Sequence, residues 1–108
     1  STTQSYNIFL RVKLPDDFSS WTTAGFNLDY KAESNSSVNV TVFETDGTNI
    51  YTSPSGLTNT SWTTLNVDLS GTTSLPGDVV ILQLWLSSKD DSSIQVSDIE
   101  LKYNKWYL

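Results

Sequence analysis

In 108 residues the chain has no histidine, no cysteine and no methionine. The first two absences close most ordinary routes to catalysis. A nucleophilic triad needs a general base, and imidazole is the usual one. Zinc centres are built largely from histidine and cysteine. A chain without free thiols suits an oxidising exterior, where an exposed cysteine would be modified. The missing methionine leads one to expect a fragment, a processed product or one module of something longer. Positive charge is also scarce. Six Lys and Arg stand against twelve Asp and Glu, for a net charge of -6. That balance repels phosphate backbones and anionic lipid, so nucleic acid and membrane surfaces are not expected partners. No stretch approaches the ~20 apolar residues of a membrane-spanning helix.

What is there is a series of short alternating segments separated by Ser, Thr, Asn and Gly. The length suits one domain. Tyr6, Ile8, Leu10, Val12 and Leu14 share one parity, with Asn7, Arg11 and Lys13 on the other, which predicts a first strand. Pro15-Asp16-Asp17 ends it, and Phe18 and Trp21 are expected to fold back as plugs beneath a loop. Phe26, Leu28, Tyr30 and Ala32 mark a second strand, and Val38, Val40 and Val42 a third. Asp46-Gly47 is the best hairpin signal, because Gly accepts the positive φ of a tight turn. Ile50-Tyr51 marks a short fourth strand, and a fifth runs from near Trp62 to Leu69. Val79 to Leu86 is apolar on both parities, which predicts a central strand with both faces covered. Ile94 and Val96 are out of phase with Ile99, Leu101 and Tyr103, so a β-bulge is predicted near Ser97-Asp98. Helical periodicity is absent.

The pattern predicts an all-β fold, a two-sheet antiparallel β-sandwich of jelly-roll type with seven or eight strands. The sandwich is expected over residues 1–103, with the first and last strands side by side. Residues 104–108 are expected to form an aromatic tail that docks or leads to a further module.

The remaining chemistry is carboxylate, hydroxyl and aromatic. Asp16-Asp17 and Asp90-Asp91 are adjacent pairs, but neighbours in a turn point apart, and Asp closes turns by accepting backbone amides. A carboxylate glycosidase, which needs two carboxylates roughly 5 to 9.5 Å apart in a cleft, stays open as a third and weaker reading, and no catalytic residue is assigned. Phe9, Phe43 and Trp85 fall on the polar parity beside Arg11, Thr41 and Gln83. Three readings stay open for them: core residues, a protein interface, or a ligand platform. A sugar would stack on Trp85 and bond to Gln83, with Tyr51 nearby. Asn35, Asn39 and Asn59 begin glycosylation acceptor patterns.

Two segments carry a resemblance. One is Phe9-Leu-Arg-Val-Lys-Leu-Pro-Asp-Asp-Phe-Ser-Ser-Trp21 with Gly25-Phe-Asn-Leu-Asp-Tyr-Lys31. The other is Val80-Ile-Leu-Gln-Leu-Trp-Leu-Ser-Ser-Lys89 with Ile94-Gln-Val-Ser-Asp-Ile-Glu-Leu-Lys-Tyr103. Ser61-Trp62-Thr63-Thr64 lies between them. This layout resembles small jelly-roll domains of uncharacterised phage appendage and surface proteins. It is also similar to galactose-binding-like carbohydrate modules, whose last strand often carries an Asp before an apolar alternation, as Asp98-Ile-Glu-Leu101 does. That likeness implies a structural calcium ion near Asp98, with the loop carboxylates Asp16 and Asp17 as further oxygen donors.

The expected function is a non-catalytic structural or adhesive module of a larger extracellular or virion-surface assembly. Its partners would be other copies of itself or neighbouring subunits, held through exposed aromatics, strand edges and the tail residues Trp106 and Tyr107. The alternative is a carbohydrate-binding module using Trp85, Gln83 and Tyr51 on a glycan, with calcium as support.

Overall fold

The computed structural model describes residues 3–53, 56–72, 74–89 and 92–105. The strands are β1 (Thr3–Lys13), β2 (Phe18–Ala32), β3 (Ser36–Glu44), β4 (Asn49–Thr52), β5 (Asn59–Val67), β6 (Val79–Lys89) and β7 (Ile94–Lys105). Among the described residues there is no helix. Sheet A has the order β1-β6-β3-β4 and sheet B the order β5-β2-β7. All pairings are antiparallel. Only β3 and β4 follow each other within one sheet; each other connection passes between sheets. That alternate crossing winds the chain as a jelly roll.

The expected neighbourhood of the first and last strands is corrected. β1 pairs with β6 in sheet A, and β7 pairs with β2 in sheet B. β6 is apolar enough to hold the place between β1 and β3, so the last strand lies in the other sheet. β7 runs to Lys105, so Asn104 and Lys105 belong to the sandwich, where they lie opposite Ser20 and Phe18. Trp106 and Tyr107 lie outside the described residues.

The alternation in the strands builds the core. Val38, Val40, Val42, Val80, Leu82 and Leu84 point inward from sheet A and are buried. Phe26, Leu28, Tyr30, Ala32 and Val67 meet them from sheet B. β2 is 15 residues long. At about 3.3 Å per residue it is about 50 Å long, most of the longest dimension of a slab measuring 56 × 28 × 18 Å.

Phe18 and Trp21 are buried, as expected of plugs, but they sit inside β2. Trp21 stands opposite Tyr103 and Phe26 opposite Leu101, so four residues of β2 face one of β7. This bulge tucks the indole under the sheet. Its ring centroid lies 5.1 Å from Phe18 and 5.4 Å from Phe26. The indole Nε1 donates to Ser74 Oγ at 3.0 Å, so its polar edge is satisfied. Gly25 closes the bulge against the same ring: a Cβ there would lie 2.7 Å from Trp21 Cε3.

The bulge predicted in β7 is present. Asn27 lies opposite Glu100 and Asp29 opposite Ser97, which leaves one extra residue on β7. Asp98 has φ 51, the left-handed region. The extra residue lets Val96 and Leu101 both pack against the core. The hairpin at Asp46-Gly47 also forms. Gly47 has φ 91, and the Thr48 amide donates to Asp46 Oδ1 at 2.9 Å.

Gly25→Ala should destabilise the fold by about 1–3 kcal/mol, the usual cost of overpacking, because the confined indole has no room to give. Chemical denaturation with circular dichroism measures this. Unchanged stability would contradict the packing described.

Candidate functional site

The outer face of sheet A brings together most of the sequence-predicted aromatic residues. Its residues on β1 are Asn7, Phe9 and Arg11. Across from them on β6 stand Trp85, Gln83 and Ile81. On β3 the next positions are Asn39, Thr41 and Phe43. Phe9 and Trp85 are exposed, and Ile81 and Phe43 are half-buried. The outer face of β6 was expected to be covered. Instead it faces solvent, since the partner sheet packs against the other side only. Gln83 Nε2 donates to Asn7 Oδ1 at 2.8 Å, tying β6 to β1 beneath the aromatic residues.

Tyr51 does not join them. It stands opposite the fully buried Val42 and packs against the core. The expected platform of Trp85, Gln83 and Tyr51 is therefore split between two faces. Burial raises the Tyr51 phenol above its ordinary range, with help from the nearby Asp68 carboxylate.

The edge of sheet A next to this face is β1. On the core-facing parity its burial falls away along the strand. Leu14 is buried, Leu10 and Val12 are half-buried, Ile8 is 41% exposed and Tyr6 is 62% exposed. At the far side of the sheet the chain covers itself. Ser53 bonds to both backbone groups of Val40, and Leu57 pairs with Val38.

The carboxylates named as calcium ligands are far apart. Asp17 Oδ1 accepts from the Tyr103 hydroxyl at 3.0 Å. Asp98 lies five residues earlier on β7, roughly 17 Å away at strand spacing, and beside β2 instead of β1. Among the described residues, no group of three or more carboxylates stands close enough to hold a metal ion.

One feature was missed in the sequence. On the outer face of sheet B, Asn66, Asn27 and Glu100 form a row across the three strands. Thr64, Asp29 and Ser97 form the next row, and Asn66, Asn27, Glu100, Thr64 and Asp29, with the bulged Asp98 and Lys102, line an open cleft of about 290 Å³. Thr64 Oγ1 donates to Asp29 Oδ1 at 2.6 Å. The signal was available as polar parity in β2, but Asn27 and Asp29 read as ordinary surface positions until the pairing was known.

Comparison with family models, with curated proteins and with solved structures gives no match. The site is therefore interpreted from its geometry.

The Tyr103–Asp17 bond carries a pH prediction. Accepting that bond, Asp17 holds the Tyr103 phenol above its ordinary value. A raised folded-state value means the contribution is complete below the unfolded phenol's pKa, about 10, and is lost as pH rises through the folded one. Denaturation midpoints measured across the alkaline range should therefore fall more steeply for the parent than for Tyr103→Phe. Parallel curves would show that the bond does not form.

Proposed function

We propose that this chain is a non-catalytic assembly module that joins a second copy of itself through β1. The observation that carries this reading is the state of that edge. Unpaired strand edges recruit other strands unless charge, proline, a bulge or short length blocks them. β1 is 11 residues long and pairs with β6 in unbroken register. From Thr3 to Leu10 it has no charge, no Pro and no Gly. The other edges are blunted. β4 has four residues. β7 carries the Asp98 bulge and alternating charges. β5 turns its own polar side chains onto its backbone: Asn59 accepts the Ser61 amide, and Thr63 donates to the Ser61 carbonyl.

The strand is also self-complementary. An antiparallel pair of β1 strands centred on Ile8 sets Tyr6 opposite Leu10 and Asn7 opposite Phe9. The cations are kept apart, since Arg11 meets Ser5 and Lys13 meets Thr3. Main-chain bonds would supply affinity. The exposed Tyr6 and Ile8 of both copies would continue the core stripe that sheet B leaves uncovered. On the outer face, Phe9 would extend the Trp85 patch. Such a surface suits a structural or adhesive subunit of an extracellular or virion assembly. The net charge of -6 opposes association at long range, so added salt should strengthen it.

Light scattering across concentration tests this reading. The parent chain should form a dimer whose population rises with concentration and salt. Ile8→Lys puts a charge at the centre of the pair on an exposed position, so it should stay folded and monomeric. A parent chain that remains monomeric at its highest soluble concentration would contradict the proposal, as would an Ile8→Lys variant that associates equally well.

A further inference from the structure

The cleft on sheet B holds a buried polar group without a partner. Asn27 is only 7% exposed, and its Oδ1 makes no hydrogen bond. A buried acceptor left without a donor costs stability, which is why most such groups are paired. This one lies in a cleft whose other lining residues include three carboxylates.

We infer that the cleft binds a saccharide unit, neutral or amino-substituted. Four observations carry the assignment. The lining offers three carboxylates, from Asp29, Asp98 and Glu100, and the unpaired Asn27 oxygen, against one ammonium, that of Lys102. A ligand dense in hydroxyl donors matches that excess. The β7 bulge is the second observation. It switches the phase of the strand so that Glu100 points outward although Val96 and Leu101 on either side pack inward. It does so with a non-glycine residue at φ 51, a strained conformation of the kind that clusters at functional sites.

Third, Trp62 lies two residues before Thr64 on the same parity of β5, outside the cleft's lining and level with Lys31 of β2, and is 51% exposed. Its ring offers an apolar face on which the C–H face of a sugar stacks, next to groups that bond the hydroxyls. Fourth, the cleft is not a cation cage, because its carboxylates do not converge on one point and an ammonium stands at its rim. The excess of negative charge also sets a specificity: uronic and sialic acids are repelled. This site is on the opposite face of the sandwich from the outer surface of sheet A, so it is independent of the proposed pairing through β1.

The test uses the full chain on an array of neutral, amino and acidic oligosaccharides. Calorimetric titration follows with whichever neutral or amino oligosaccharide binds. The parent should bind neutral or amino sugars and not acidic ones. Glu100→Ala and Asn27→Leu should each weaken binding by about tenfold or more, the effect of losing one charge-assisted or buried bond. Asn27→Leu should also unfold at or above the parent's temperature, since it removes the unpaired acceptor. Should Asn27→Leu fail to fold, Glu100→Ala at an exposed position decides the matter. A blank array, a preference for acidic sugars, or undiminished binding by Glu100→Ala would overturn the proposal. Ile8→Lys should bind sugar as the parent does, so the cleft and the assembly reading fail separately.

Discussion

A three-stranded sheet packed on a four-stranded one leaves one strand without full cover, and much of this molecule follows from that mismatch. At about 4.8 Å between strands, three strands do not reach across the width of four, and the exposure of Tyr6 and Ile8 marks the outer half of β1 as the part left over. Val38, Val40 and Val42 on β3 are wholly buried, as is Leu82 on β6. β1 pairs with β6 along its whole length, yet its outer half shows Tyr6 and Ile8 to solvent. Leu10 and Val12 still pack against the core, so the Tyr6–Ile8 end of the stripe is the part left exposed to solvent. A second copy pairing at that edge supplies the missing cover.

The two bulges serve different ends. In β2 the chain spends four residues against one of β7, and the gain is a buried cluster of Phe18, Trp21, Phe26 and Tyr103. Rings bury large areas, which matters in a chain only 37% hydrophobic. The indole caps the end of the sandwich, and Gly25 is the small residue that lets the backbone pass it. In β7 the single extra residue costs a positive φ at Asp98. It keeps Val96 and Leu101 in the core and turns Glu100 out beside Asn27. One bulge therefore serves packing, and the other both rescues the core pattern and arms the outer face.

Much of the fold was legible in the sequence because period-two alternation reports burial directly. The shared parity of Val38-Val40-Val42 and of Phe26-Leu28-Tyr30 predicts one face of a strand each, and both faces are core. The phase slip after Val96 predicts a bulge near Ser97-Asp98, and the register shift falls there. Strand neighbours were not legible, because alternation states which face is buried but not which strand lies alongside. That is why β1 and β7 were placed together, and why Asp98 was assigned beside the wrong strand. The outer face of β6 was expected to be covered because apolar residues on both parities usually mean a central, doubly buried strand. β6 is central in its sheet but buried on one face only. Tyr51 failed for a simpler reason: in a strand of four residues one position decides the parity. The cleft on sheet B was illegible because its rows are made by pairing three strands distant in sequence.

Hydrogen exchange read amide by amide along β1, at low and high protein concentration, tests the central claim most directly. Alternate amides of this strand point away from β6 and are free to exchange in a single copy. If a second copy pairs at this edge, those amides become protected as concentration rises, while amides bonded to β6 change little. Equal exchange at every concentration would show that the uncovered stripe stays exposed and that β1 is not the joint.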